Sequence, residues 1–166
     1  MTELVPASHA VAVAVTTGGN IEAALDRPRA ADWPHDATAD ALRPLADHPA
    51  DTPEGTFLVV HGGRVVGDCG WFGPPVDGVV DIGYGLAPSA RGQGLGVEAV
   101  TLLLAWVASR GASSVRAEVL PSNSASLRLL QRLGFTAVGE HAGHLVLTRP
   151  AHGGEPDHVA VRNRVG

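Results

Sequence analysis

The chain has 166 residues, enough for one well-filled core and too few for two ordinary domains. Hydrophobic residues make up 45% and charged residues 17%, a globular balance, and the formal net charge of -5 gives the molecule as a whole no electrostatic reason to bind nucleic acid while suiting a cationic acceptor such as an amine. All twelve basic residues are arginine, which excludes a phosphate-loop lysine or a Schiff base, and Cys69 is the only cysteine, which excludes an intrachain disulfide and a cysteine metal cluster.

In chain order, Val11–Val15 reads as a first strand. It is too short to span a membrane, and no basic n-region precedes it, so a soluble, cytoplasmic protein without a membrane partner is expected. Asn20–Asp26 reads as a short helix ended by Pro28, and Thr38–Ala46 as a second one capped by Asp36 or Thr38. Residues 27–55, rich in Pro, Ala and Asp, give the least pattern. Phe57–Val60 and Val65–Trp71 flank His61-Gly62-Gly63-Arg64, a hairpin signal. Val79–Leu86 is the next strand, closed by Pro88. Gly92–Arg110 gives the strongest helix, with Leu95, Ala99, Leu102, Leu103 and Trp106 at helical spacing and Gly111 as its cap. Val115–Leu120 is a buried strand, Pro121-Ser122-Asn123 opens another helix, and Phe135–Val138 with Gly143–Leu147 forms a final hairpin. The order implies an α/β or α+β sheet with helices on both faces, followed by a polar tail after Pro150.

The most informative stretch is Arg91-Gly92-Gln93-Gly94-Leu95-Gly96, between a strand and the long helix. Its glycines allow a sharp turn and close approach of the backbone, and the unpaired N–H groups of the helix start point into it. That combination suits a phosphate or pyrophosphate. No Gly-Lys-Ser/Thr follows, and the glycine spacing is not that of a dinucleotide fingerprint.

These residues resemble the Arg/Gln-x-x-Gly-x-Gly/Ala motif of the GNAT superfamily of acetyl-CoA-dependent N-acyltransferases. Asp81-Ile82-Gly83-Tyr84-Gly85-Leu86 is similar to the fourth strand of its ribosomal-protein N-terminal (alanine) acetyltransferase branch. Pro121–Ser126 running into Leu133-Gly134-Phe135 resembles that branch's second motif. The resemblance covers about residues 57–148. It implies a single acetyltransferase domain over 1–150, with 151–166 as tail, built on a mixed, mostly antiparallel twisted sheet of six to seven strands. It further implies acetyl-CoA as acetyl-donor cosubstrate, with its pyrophosphate on the backbone of Arg91, Gly92, Gln93, Gly94, Leu95 and Gly96. The pantetheine arm is expected between Val79–Leu86 and Val115–Leu120, with the Leu86 N–H donating to the thioester carbonyl and Asn123 touching the arm. Relatives outside the branch carry a proton-donating Tyr seven residues after the Asn. That position is Leu130 here, and Ser126 remains as the acid for the departing thiolate.

For the base, Asp81 occupies an acidic position of the branch and Glu118 is the second carboxylate. Asp81 also reads as a strand-edge carboxylate, Asn123 as a helix cap, Ser126 as a small packing residue and Tyr84 as a core residue on the face opposite Asp81. His141-x-x-His144 and His152 lack further ligands at metal spacing and read as surface residues, so no metal is expected. Cys69 reads as buried filler, Trp71 and Trp106 as core, and Trp33 as a residue that could line a pocket. The acceptor is expected to be a small-molecule amine or a protein N-terminus, and the protein a monomer or homodimer. Two other readings stay open: a non-catalytic acyl-CoA-binding module and a small protein holding another nucleotide.

Overall fold

The structure, a computed structural model, describes residues 1–52 and 54–152. The strands are β1 (Thr2–Pro6), β2 (Thr56–His61), β3 (Arg64–Trp71), β4 (Val79–Leu86), β5 (Ser114–Val119), β6 (Thr136–His141) and β7 (His144–Pro150). They form one sheet in the order β1-β2-β3-β4-β5-β7-β6, antiparallel at every junction except β4–β5, which is parallel. The helices are α1 (His9–Thr17), α2 (Ile21–Ala24), α3 (Thr38–Asp47), α4 (Leu95–Ser109) and α5 (Ser124–Arg132), with a 3₁₀ turn at Pro88–Ala90. The helices on both faces follow the sequence pattern, and the mixed, mostly antiparallel sheet of seven strands is the one the resemblance implies. The polar tail lies, from residue 153 onward, outside the described residues.

The core follows from strand alternation. On β4, Val80 and Ile82 are buried, and Tyr84 and Leu86 continue their row toward α4 and α5. Asp81, Gly83 and Gly85 face the other way, toward the α1–α3 side. Val100, Leu103 and Val107 of α4 close the first side of the core with Val115 and Leu147, all fully buried.

Val11–Val15 is helical rather than extended. The Ser8 hydroxyl caps α1 by accepting from the Val11 N–H, and the buried face carries Val11, Ala12 and Ala14. Alternating Val and Ala mimics a strand pattern, but each Ala favours the helix and the cap begins it. The first strand is Thr2–Pro6 instead. The Thr38–Ala46 helix forms, yet neither Asp36 nor Thr38 caps it. Ala37 is its N-cap, and the Thr38 hydroxyl is drawn into a buried cluster. The strong helix begins at Leu95, so Gly92–Gly94 are loop.

Candidate active site

The glycine loop is built as an open backbone surface. Gly92 and Gly94 have φ of +76° and +78°, and a Cβ built on either would meet nothing within 4 Å. Their glycines therefore answer to backbone conformation, which side chains with a Cβ adopt only at a cost. Gly96 differs: a Cβ there would come within 2.6 Å of Leu129 Cδ1, so its bareness lets α5 pack against the start of α4. The N–H groups of Gly92 through Val97 have no acceptor among the described residues, and the first to find one is Glu98, which donates to the Gly94 carbonyl at 3.2 Å. The loop is held from behind. Arg91 Nε donates to the Leu86 carbonyl, Gln93 Nε2 to the Ser89 carbonyl, and the Ser89 N–H and hydroxyl both donate to Asp32. Those two Ser89 bonds hold the Asp32 carboxyl below the usual carboxylate range. A row of free donors at a helix start fits a pyrophosphate.

Beside the loop the sheet opens. β4 pairs with β5 only from Val79↔Ser114 to Ile82↔Ala117, and Gly83–Leu86 have no β5 partner. Because the Ala87 N–H donates to Val66 on β3, the Leu86 N–H one residue earlier points to the opposite edge, into this gap. The gap is the place predicted for an extended pantetheine arm, and its bare backbone fits one. On the α5 side of the gap, the Tyr84 hydroxyl and Ser126 Oγ are hydrogen-bonded, and the Ser126 N–H donates to Asn123 Oδ1 at 3.2 Å. Burial pushes the Tyr84 phenol up, and the Ser126 bond partly opposes this. Asn123 is the N-cap of α5, as the sequence suggests, and Leu130 is fully buried in the core.

The opposite side of the gap carries charge. Arg116 on β5 donates from Nη1 to Asp81 Oδ1 and from Nη2 to Glu118 Oε1, both at 2.7 Å. His141 Nδ1 lies 2.8 Å from the same Glu118 oxygen. The two carboxylates proposed as bases thus share one guanidinium. His141 and Arg116 together hold the Glu118 carboxyl below the usual carboxylate range.

A second polar group was not anticipated. Trp33 Nε1 and the Thr38 hydroxyl donate to buried Asp68 Oδ2 at 3.0 and 2.8 Å. His35 Nε2 lies 3.0 Å from the same oxygen without the alignment of a hydrogen bond, and His35 Nδ1 accepts from the Ala37 N–H. The ring rests on Gly85, where a Cβ would come within 2.4 Å of it. Trp33, open to a pocket role on sequence grounds, is fully buried here. The signal available in the sequence was Asp68 itself, a carboxylate inside an otherwise apolar core strand. Cys69 is buried, and burial pushes its thiol up, away from a nucleophile's range. Trp71 and Trp106 pack edge to face at the core margin. Among the described residues, no group of three or more His, Cys, Asp or Glu could hold a metal ion, and no helix is long and apolar enough to cross a membrane.

The chain and its fold are similar to known proteins. A family model described as an acetyltransferase (GNAT) domain matches residues 13–136. The chain is similar to a mycothiol acetyltransferase of Thermomonospora curvata, 34% identical over 118 residues, which are 70% of this chain and 38% of that protein. It spans less than half the length of the curated relatives it matches. Its fold is similar to the structure of yncA from Salmonella typhimurium with its cofactor acetyl-CoA, at TM-score 0.61 and 24% identity, covering 94% of this chain and 98% of that one. It is also similar to ribosomal-protein-S5-alanine acetyltransferase from Vibrio fischeri, at TM-score 0.61 and 19% identity, covering 93% and 94%.

Proposed function

Because the chain belongs to the GNAT acetyltransferase domain family, we propose that it moves an acetyl group from acetyl-CoA to a primary amine by direct attack in a ternary complex. The observation that carries this reading is the junction of two features: a loop whose N–H groups lack acceptors, and the break in β4–β5 pairing beside it. Acetyl-CoA supplies an activated thioester and a leaving thiolate. The backbone of Arg91–Gly96 binds its pyrophosphate, and Gly83–Leu86 take the arm as an extra strand-like partner. The Leu86 N–H faces the gap, where it stabilises negative charge developing on the thioester oxygen. Asn123 presents its amide at the same gap, and Ser126 Oγ supplies or relays a proton to the departing sulfur.

The amine enters from the Asp81–Arg116–Glu118 side, because α4, α5 and the loop occupy the other. Two carboxylates against one guanidinium leave that side negative, which draws an ammonium. Asp81, the base favoured on sequence grounds, contributes charge there while held by Arg116. The mycothiol acetyltransferase and ribosomal-protein acetyltransferase names of the similar proteins support an amine acceptor, either a small molecule or a protein N-terminus.

The test is thiol release from acetyl-CoA against a panel of primary amines, including polyamines, amino acids and short peptides with free N-termini, run beside calorimetric titration with CoA, ATP and NAD. The reading predicts CoA binding in preference to ATP and NAD, together with amine-dependent release. Tight CoA binding without release for any amine would indicate a non-catalytic acyl-CoA-binding module, and preference for ATP or NAD would indicate a different ligand.

A further inference from the structure

The acceptor side of the gap needs a group that takes a proton from an incoming ammonium at neutral pH, and the two carboxylates are poorly suited to it. Glu118 is held in its charged form by His141 and Arg116, which makes it a weaker proton acceptor, and Asp81 Oδ1 is taken up by the Arg116 guanidinium. Among the described residues two histidines meet a carboxylate, His35 at Asp68 and His141 at Glu118. His35 is enclosed, its side chain 7% exposed, with Nδ1 already accepting from Ala37 and Nε2 turned to Asp68. His141 is open, its side chain 67% exposed, at the end of β6 where a two-residue turn, Ala142-Gly143, leads into β7. Both turn residues have positive φ, +50° and +82°, the geometry that sets β6 and β7 in tight register and so fixes where His141 stands.

From there His141 reaches across β7 to Glu118, since β7 lies between β6 and β5 in the sheet. An ionised carboxylate only accepts hydrogen bonds, so the Nδ1 that meets Glu118 carries the hydrogen. The neutral ring then has its lone pair on Nε2, which meets no partner among the described residues. Glu118 lies just past Ala117, the last β5 residue paired with β4, on the face of the sheet away from α5. The pair thus stands at the mouth of the gap. The other charged or titratable groups facing His141 are Arg116 on β5 and His144, its register partner on β7.

We propose that His141 is the proton acceptor of the acetyl transfer, with Glu118 fixing its Nδ1–H form and Arg116 fixing Glu118. This rests on the acetyltransferase reading given above. In the step, one ammonium N–H bond breaks and its proton passes to His141 Nε2. The freed nitrogen lone pair forms the new C–N bond, and the C–S bond of the thioester breaks. A second proton from the same nitrogen ends on the departing sulfur by way of Ser126, and the proton on His141 leaves to solvent. Imidazole suits this step because the side chain exchanges a proton near neutral pH.

Two measurements test the proposal. In the first, the rate of thiol release with the best amine of the panel is followed against pH for the parent, H141Q and H144Q. H141Q should lose about 10²-fold or more in kcat/KM at neutral pH, together with the acidic limb of the profile, while the KM for acetyl-CoA stays unchanged. H144Q should keep the parent profile. The second measurement needs no substrate. Nitrogen-15 shifts of the His141 ring in the ligand-free protein at alkaline pH should report the Nδ1–H form, and E118Q should move the ring toward the Nε2–H form. An H141Q variant with the parent limb and rate, or an Nε2–H ring in the parent, would overturn the assignment. A parent that releases no thiol with any amine would remove the acetyltransferase reading itself and the proposal with it.

Discussion

At the scale of single residues, the loop glycines separate conformation from space. Gly94 sits at φ +78° with nothing in front of it, so a bulky β-branched residue is strained there before it meets any ligand. Asn tolerates that conformation. Gly94→Val should therefore lower both the melting temperature and CoA affinity. Gly94→Asn should hold the melting temperature near the parent's and still weaken CoA binding by projecting a side chain over the unpaired N–H groups. Calorimetry beside thermal melts separates the two effects, and CoA binding by Gly94→Asn equal to the parent's would move the pyrophosphate elsewhere. Ser126→Ala should lower kcat by about 10-fold to 100-fold with little change in the KM for acetyl-CoA, because in the proposed reaction the hydroxyl acts mainly on the departing sulfur. The same variant has a second readout. Tyr84 is the only tyrosine, so phenolate absorbance in alkali reports it alone. Burial raises its pKa above the ordinary phenol value and the Ser126 bond lowers it, so removing Ser126 should raise it further. An unshifted or lowered titration in Ser126→Ala would contradict the hydrogen bond. The loop glycines and the Asn123 cap were legible because short-range pattern marks them, while the role of Ser126 came only from the resemblance. The Tyr84–Ser126 bond was not, because it joins residues 42 positions apart and local pattern carries no such distance.

At the scale of elements, the proposed function makes strand β4 the axis, with the donor on one side and the acceptor on the other. Its bare positions are packing sites as well as open ones. A Cβ at Gly85 would press on the His35 ring, which cannot retreat without disturbing the bonds around Asp68. Gly85→Ala should cost about 1–3 kcal/mol in denaturant unfolding, the usual price of overpacking a close-packed site. A Gly85→Ala protein as stable as the parent would show that the α2–α3 loop yields easily. The chain Asp81–Arg116–Glu118–His141 ties β4, β5 and β6 together. The Glu118 carboxyl is depressed in the folded state, so its contribution to stability is complete above its unfolded pKa and is lost as pH falls through the folded value. The stability of E118Q should fall less steeply than the parent's below about pH 4.5, the ordinary range of a glutamate, as followed by unfolding at stepped pH. The hairpin β2–β3, strand β4 and helices α4 and α5 were legible because period and turn residues agree along them. α1 was not, because Val at every second position imitates a strand while the Ser8 cap that decides the matter lies outside the run.

At the scale of the whole molecule, the one parallel junction among the described strands, β4–β5, is the one that opens, and the proposed function puts the cofactor and the acceptor on opposite sides of that gap. The fold was legible as a resemblance across three motif blocks, while its N-terminal part rests on the buried Trp33–Thr38–Asp68 contacts between distant residues. Ligand binding should be visible globally: CoA at 100 times its dissociation constant should stabilise the fold by about 2.7 kcal/mol, and ATP at the same concentration should do far less. Direct transfer across the gap, with no stop on the protein, is the central claim. The measurement closest to it uses acetyl-CoA labelled in the acetyl group, with intact-protein and small-molecule mass spectrometry before and after addition of the best amine. The account predicts an unlabelled protein in both samples and the label on the amine nitrogen only after the amine is added. Label on the protein before the amine arrives, discharged when it does, would contradict it.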